Sequence, residues 1–262
     1  MRKLAKLTAT MILTLPLALG SSNAHAVQGG STVQHAVPWI VSVQSPEGTH
    51  RCGATLIAPQ WALTAGHCRW GVTAADLVLR IGSLEHQRGG QVVGVKEIVP
   101  HPSSVFDPDA HTFTGVDLTL LRLDRPIHAP TPDLQRTTPP IGNGLTMLGW
   151  GYICEASSCA LPARLQQLTL PLADCEKIDG IPPRWPRLCT VDDGRGTDGN
   201  TGQGTSAGDS GGPAVVRTRH GVRLAGVVSG GGFDPDTHQT VSIFTDLSQH
   251  LDWINSVIHH EA

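Results

Sequence analysis

Short apolar segments of period two recur along most of this chain, each closed by Gly, Pro, Ser or Asp. The runs at 39–43, 77–81, 92–95, 118–123 and 165–172 are too short for amphipathic helices, and they are rich in β-branched residues or Leu. An extended segment buries alternate side chains, so many such segments separated by turn formers predict an all-β barrel or sandwich. The 30 Gly and 19 Pro supply the turns, and a charged content of 16% is too low for a coiled coil or for wholesale disorder. A two-residue turn at His220-Gly221 is expected to join 213–219 to 222–229 as a hairpin. The one predicted helix is C-terminal: Leu247, Leu251, Ile254 and Ile258 repeat at helical spacing, and Asp246 with Gln249 resembles a capping box.

A length of 262 residues suits one large domain or two packed ones of ~100 to 150 residues each. Pro126, Pro130, Pro132, Pro139 and Pro140 disfavour a central strand, so this stretch reads as a linker with a boundary near residue 137. At the N terminus, Arg2, Lys3 and Lys6 precede an apolar run from Leu7 to Leu19, followed by Ala24-His25-Ala26. That is the grammar of a secretory signal, and the run falls short of the ~20 apolar residues of a membrane anchor. Cleavage after Ala26 is expected, giving a signal peptide at 1–26, one β unit at 27–137 and another at 138–262. The mature chain would be secreted and would begin at Val27, without a membrane span. With a formal net charge of −3 and no basic run beyond the first few residues, nucleic acid is excluded as the main partner.

Export decides how the six cysteines are read. In an oxidising compartment they form three disulfides, with fifteen pairings formally open. The positions lack the paired C-x2-C spacing of zinc sites, so no metal is expected. Sequential pairing is expected: Cys52 with Cys68, Cys154 with Cys159, and Cys175 with Cys189.

The most specific local signal is Gly208-Asp209-Ser210-Gly211-Gly212-Pro213. A serine between glycines can sit on a tight turn with its hydroxyl exposed and with backbone N–H groups converging where an oxyanion would form. A hydroxyl is a weak nucleophile near neutral pH, so this reading requires a general base and an orienting carboxylate. Of the 13 His, His67 stands apart in Leu63-Thr64-Ala65-Gly66-His67-Cys68, where small residues leave room for the ring. Asp117 heads the otherwise apolar segment Asp117-Leu118-Thr119-Leu120-Leu121. Taken singly, His67 could be a packed core histidine, Asp117 a strand cap and the glycine run a plain loop.

In this order and at these separations, the three motifs resemble the chymotrypsin/trypsin-like serine endopeptidases, and the resemblance runs from Val27-Gln28-Gly29-Gly30 to Trp253-Ile254. The resemblance implies two packed six-stranded antiparallel β-barrels with the site in the cleft between them. It implies Ser210 as nucleophile, His67 as base, Asp117 as its orienting acid, and the N–H groups of Gly208 and Ser210 as the oxyanion hole. It also implies that a freed Val27 ammonium folds inward to pair with Asp209, with no separate activation peptide. Burial beside that acid would raise the ammonium pKa above the ordinary ~7.7 to 8.0. Polypeptide substrates and protein protease inhibitors are the implied partners, no cofactor is implied, and the mature chain is expected to be a monomer.

Departures from the family pattern concern specificity. Gly204 stands at the pocket floor where trypsin-like enzymes place Asp, Ser229-Gly230-Gly231 lacks the usual Trp, and Ser206 replaces a common Cys. With Thr205 and Ser242 these residues predict an uncharged pocket preferring apolar or aromatic side chains. Gly194, Gly196, Gly199, Gly202, Gly204 and Gly230 to Gly232 imply a pliant rim. Glu85 is followed by a basic turn, so no calcium is expected there, and the run from Gly199 to Gly204 lacks the strand-to-helix setting of a phosphate loop. Two rivals remain open: a catalytically weak or silent binding protein on this scaffold, and an esterase matching Gly-x-Ser-x-Gly, although His, Asp, Ser is not the α/β-hydrolase order.

Overall fold

The computed structural model describes residues 29–107, 112–153, 160–178, 186–192, 202–234 and 239–259. The first half contains β1 (Ser31–Thr32), β2 (Ile40–Gln44), β3 (His50–Ala58), β4 (Trp61–Thr64), β5 (Val78–Ile81), β6 (Gln91–Pro100), β7 (Ser104–Asp107), β8 (Thr112–Gly115) and β9 (Thr119–Leu123). The second contains β10 (Asp133–Leu134), β11 (Gly144–Gly149), β12 (Gln166–Ala173), β13 (Arg187–Asp192), β14 (Pro213–Thr218), β15 (Gly221–Asp234) and β16 (Gln239–Asp246), followed by α1 (Leu251–His259).

Strands β2-β3-β4-β9-β6-β5 form one closed antiparallel barrel, sealed where Val41 of β2 pairs with Ile81 of β5. The second barrel runs β12-β11-β14-β15-β16-β13 and closes where β13 returns to β12 at Leu172↔Thr190. The fold is the expected all-β pair of six-stranded barrels with a C-terminal helix. Period-two burial explains the closure. In β12, Gln166, Leu168, Leu170 and Leu172 are buried while the residues between them are less so, and both barrels thereby remove the open edges on which strands aggregate.

The second barrel has its own core around Leu145, Met147, Leu170 and Phe244. The larger cluster fills the first barrel and continues across the interface through Leu148, Trp150, Leu165, Val215, Val227 and Ile254. The chain ends strap the halves together. Near the N terminus β1 pairs with β12 at Ser31↔Gln167, while Ile254 of α1 is buried in the cluster of the first barrel, with Trp253, Val257 and Ile258 packed beside it. Between the barrels, β10 lies parallel to β15 at Asp133↔Arg223.

Two local expectations are corrected. The β14–β15 hairpin pairs Thr218 with Gly221, so its turn is Arg219-His220, one residue earlier than the glycine suggested. The Thr218 hydroxyl sets this register: it accepts from the His220 N–H at 3.2 Å and donates to the Gly221 carbonyl at 3.2 Å. The terminal helix also begins later than expected. Asp246 accepts from the Ser248 N–H at 3.0 Å and caps a 3-10 turn, Leu247–Gln249, while the Gln249 amide bonds Ser248 Oγ instead of completing a capping box. Cys52–Cys68 and Cys175–Cys189 are disulfides; the expected Cys154–Cys159 pair lies outside the described residues, as do the leader and Val27. Among the described residues no helix is long and apolar enough to cross a membrane.

Candidate active site

His67 sits in a 3-10 turn, Gly66–Arg69, directly after β4. The Cys52–Cys68 disulfide ties that turn to β3. Asp117 lies between the β7–β8 hairpin and β9 and is 2% exposed. Three donors converge on its carboxylate: the His67 backbone N–H at 2.8 Å, His67 Nδ1 at 2.9 Å and the Ser229 hydroxyl at 2.6 Å. A carboxylate only accepts, so Nδ1 carries the imidazole proton and Nε2 of the neutral ring presents a lone pair. Asp117 is anchored from the second barrel as well, because Thr245 Oγ1 donates to its backbone carbonyl at 3.3 Å.

Ser210 rides on a turn made by glycines with positive φ, Gly208 at +98° and Gly211 at +77°. Close approach between the barrels requires the glycines that follow. A Cβ on Gly53 would lie 2.7 Å from Gly212 Cα, and one on Gly211 would strike Thr64 and come 3.1 Å from Ala65 N. The Ser210 turn therefore docks against β3 and against the segment that leads into His67. The Gly53 N–H bonds the Ser210 carbonyl at 2.7 Å. The N–H groups of Gly211 and Gly212 are consumed by the carbonyls of Val228 and Asp209, whereas among the described residues those of Gly208 and Ser210 have no acceptor.

Asp209 points the other way, into the second barrel. It is 1% exposed and accepts from the Gly151 N–H at 2.7 Å and the Ser206 N–H at 2.9 Å. Burial pushes its carboxyl up to about 6, although those two donors pull it down. Among the described residues no cation pairs with it. Gly149 and Gly151 leave room for this carboxyl, since a Cβ on Gly149 would sit 3.0 Å from Asp209 Cγ; the sequence analysis did not identify this cradle.

Gly204, Thr205, Gly231 and Ser242 lie close together. A Cβ on Gly204 would meet Thr240 Cγ2 at 2.6 Å and Ser242 Oγ at 2.8 Å. Ser242 Oγ accepts from the Thr205 N–H at 2.9 Å, and a Cβ on Gly231 would lie 3.2 Å from Thr205 Oγ1. The Ser229 side chain donates to Asp117. Ser206, in place of the family Cys, donates its hydroxyl to the Tyr152 carbonyl at 2.5 Å. Asp192, which the sequence analysis passed over, anchors the stretch before Gly204 by accepting from the Gln203 N–H at 2.6 Å. Gly194, Gly196 and Gly199 of the expected rim lie outside the described residues.

The metal-ligand atoms of Cys52, His67 and Cys68 lie within 4.8 Å of one another. The two sulfurs are bonded to each other, so neither is available as a thiolate ligand. Glu85 is ion-paired with Arg88.

Comparison with known proteins shows the family. The family model described as Trypsin matches residues 26–254. A tryptase of Mus musculus is 30% identical over 278 aligned residues, covering 95% of this chain and 97% of its own length. Trypsin theta of Drosophila melanogaster is 28% identical over 233 residues, covering 87% of this chain and 84% of its own. The chain belongs to the trypsin family and is a serine endopeptidase acting on polypeptides.

Proposed function

We propose that this endopeptidase works through Ser210, His67 and Asp117. Ser210 Oγ attacks the scissile carbonyl, His67 Nε2 takes its proton and returns it to the leaving amine, and water repeats the sequence on the acyl-enzyme. Asp117 holds the ring in the required tautomer. The observation that carries this reading is the carboxylate of Asp117 held by His67 and Ser229 beside a turn whose Gly208 and Ser210 N–H groups have no acceptor among the described residues. The oxyanion would settle on those two donors.

The activation reading has the Val27 ammonium, released by signal cleavage after Ala26, neutralise Asp209; it is supported by a buried carboxyl that no cation pairs with among the described residues. Secretion, division at residue 137, action as a monomer and sensitivity to protein protease inhibitors belong to the same proposal. For specificity, Gly204, Thr205, Gly231 and Ser242 bring no charge to the pocket, which favours apolar or aromatic side chains before the scissile bond. A peptide-library profile tests that preference, and dominant cleavage after Lys or Arg would refute it. The mechanism itself is tested with a fluorophosphonate probe. Labelling of the mature protein, abolished by Ser210→Ala, is expected; equal labelling of the variant would remove Ser210 from the reaction.

A further inference from the structure

Strand β2 is wholly buried, yet two of its five residues are polar: Ser42 and Gln44, both 0% exposed. Across the β2–β3 ladder His50 lies opposite Gln44 and is buried too. Unpaired polar groups in such a place cost about 1–3 kcal/mol each, so their partners matter. The Gln44 amide nitrogen donates to the His86 backbone carbonyl and to Ser42 Oγ, the latter at 2.9 Å. An amide nitrogen only donates and the Gly208 carbonyl at the far end only accepts, so for a neutral His50 ring the two ends together fix the direction of the chain. Ser42 accepts there and turns its own proton to His50 Nδ1 at 2.7 Å. With Nδ1 accepting, the neutral ring carries its proton on Nε2, which donates to the Gly208 carbonyl at 2.9 Å. Burial pushes the His50 pKa down to about 4, so the ring stays neutral near pH 7. The ring packs at an angle beside His86 and Trp150, at ring separations of 5.5 and 5.6 Å.

The acceptor at the end of this chain adjoins the reacting centre. The peptide between Gly208 and Asp209 is gripped at both ends, its carbonyl by His50 and its N–H by the Ser206 carbonyl at 3.0 Å. Gly208 itself has a φ of +98°, open in practice only to glycine, so nothing in the residue resists rotation of its two flanking peptides. The other peptide, which carries the Gly208 N–H, is held at its own carbonyl, Ala207, by the Tyr152 N–H at 3.0 Å, so the angle at Gly208 is set by both grips together and loss of the His50 grip frees one side of it.

We propose that His50 is a positioning residue for the reaction: the donor chain from Gln44 through Ser42 to His50 holds the Gly208 carbonyl and thereby aims the Gly208 N–H at the oxyanion. The proposal rests on the reading of Gly208 and Ser210 as the oxyanion hole. Because the oxyanion exists only in the transition state, loss of the grip lowers kcat and leaves KM nearly unchanged.

The test compares His50→Phe, which keeps a ring between His86 and Trp150 but has no donor, with His50→Gln, which can again offer an N–H to the carbonyl. Each is assayed in the mature protein on an ester and on its thionoester, whose sulfur is a poor hydrogen-bond acceptor. The wild type is expected to prefer the ester strongly. His50→Phe is expected to lose about 10- to 100-fold in kcat on the ester, less than the 10²–10³ for removing an oxyanion donor outright, with KM within about twofold. Its ester preference should fall in proportion, and His50→Gln should recover much of both. If the phenylalanine variant folds poorly, Ser42→Ala breaks the chain one link earlier and should move the ester preference in the same direction by a smaller factor. Unchanged ester kcat in a folded His50→Phe, or equal losses on both substrates in both His50 variants, would overturn the proposal. A wild type without ester preference would instead remove the oxyanion-hole reading, and this proposal with it.

Discussion

The two rims of the cleft are built by different means. On the first-barrel rim, the Cys52–Cys68 disulfide pins the His67 turn, and three donors between 2.6 and 2.9 Å hold Asp117. On the second-barrel rim, Ser206 stands where the family resemblance leads one to expect a cysteine, Gly204, Gly208, Gly211 and Gly212 shape the chain, and backbone hydrogen bonds do most of the holding. Its one buried charge-bearing group beside Ser210 is Asp209, whose carboxyl is raised by burial to about 6. The base is paired and covalently braced, with Ser229 and Thr245 of the second barrel completing the hold on Asp117. The second rim is a turn built from glycines over an acid that has no cation among the described residues, so on the proposed activation the first rim would be preformed and the second conditional on Val27.

The largest expected effects break the whole comparison. Ser210→Ala or His67→Ala should each remove about 10⁶ of kcat, and the double variant should be little worse, because the residues act as a unit. Steady-state kinetics decide this; losses that multiply would mean the two rims contribute independently. Next, Asp117→Asn should cost about 10⁴ in kcat, the magnitude this family is known for, because an amide in place of the carboxylate selects the wrong imidazole tautomer. A far-UV spectrum and melting curve near wild type, with that loss, would place the effect on His67 orientation alone.

The third prediction addresses the conditional rim. Protein beginning at Val27 should exceed a version with two additional N-terminal residues by about 10²–10³ in kcat/KM, the scale of an unformed oxyanion hole. The pH dependence of stability should separate the two forms. In the extended form Asp209 has a folded pKa of about 6, above its ordinary 3.8. An acid with a raised pKa contributes stability that is full below the unfolded value and lost as pH rises through the folded value. The extended form should therefore gain up to roughly 3 kcal/mol between pH 7 and pH 4, and Asp209→Asn should abolish that gain. In the form starting at Val27, the proposed ion pair should instead keep Asp209 charged, and activity should then fall in alkaline solution as the ammonium loses its proton. Urea midpoints across this range test the first statement, and a rate–pH profile the second. Equal activity of the two forms would show that the second rim is ordered without Val27.

What could be read from the sequence divides along the same line. Strand positions, the two-barrel fold and the clustering of His67 with Asp117 follow from period-two burial and from motifs whose spacing reflects one geometry. Less visible were contacts made by ordinary residues through distant pairing. Ser229 looked like pocket wall, yet it reaches Asp117 across 112 positions in the chain. Gly149 and Gly151 belong to no motif, although they make room for Asp209. Ser42, Gln44 and His50 carry no local motif because their meaning lies in a ladder pairing and in Gly208, 158 residues beyond His50. The hairpin turn was displaced by one residue because a threonine hydroxyl competed with glycine for control of the register.

The smallest predicted effect sharpens the comparison most directly. If the second rim relies on a hydrogen bond where relatives use a covalent bond, the Ser206 hydroxyl, which donates to the Tyr152 carbonyl at 2.5 Å, is its brace. A backbone bond from the Tyr152 N–H to the Ala207 carbonyl at 3.0 Å joins the same two segments, and the Ser206 N–H is already committed to Asp209 at 2.9 Å. Ser206→Ala removes only the hydroxyl and leaves both backbone bonds. The expected cost is about 1 kcal/mol, read as a fall of roughly 2–4 °C in Tm for a chain of this size. Because neither His67 nor Asp117 touches this brace, kcat should hold while KM rises modestly as the pocket wall loosens. A fall in kcat larger than the loss of stability explains would mean that the brace acts on the Gly208–Ser210 turn itself, and that the second rim is one mechanical unit from Tyr152 to the nucleophile.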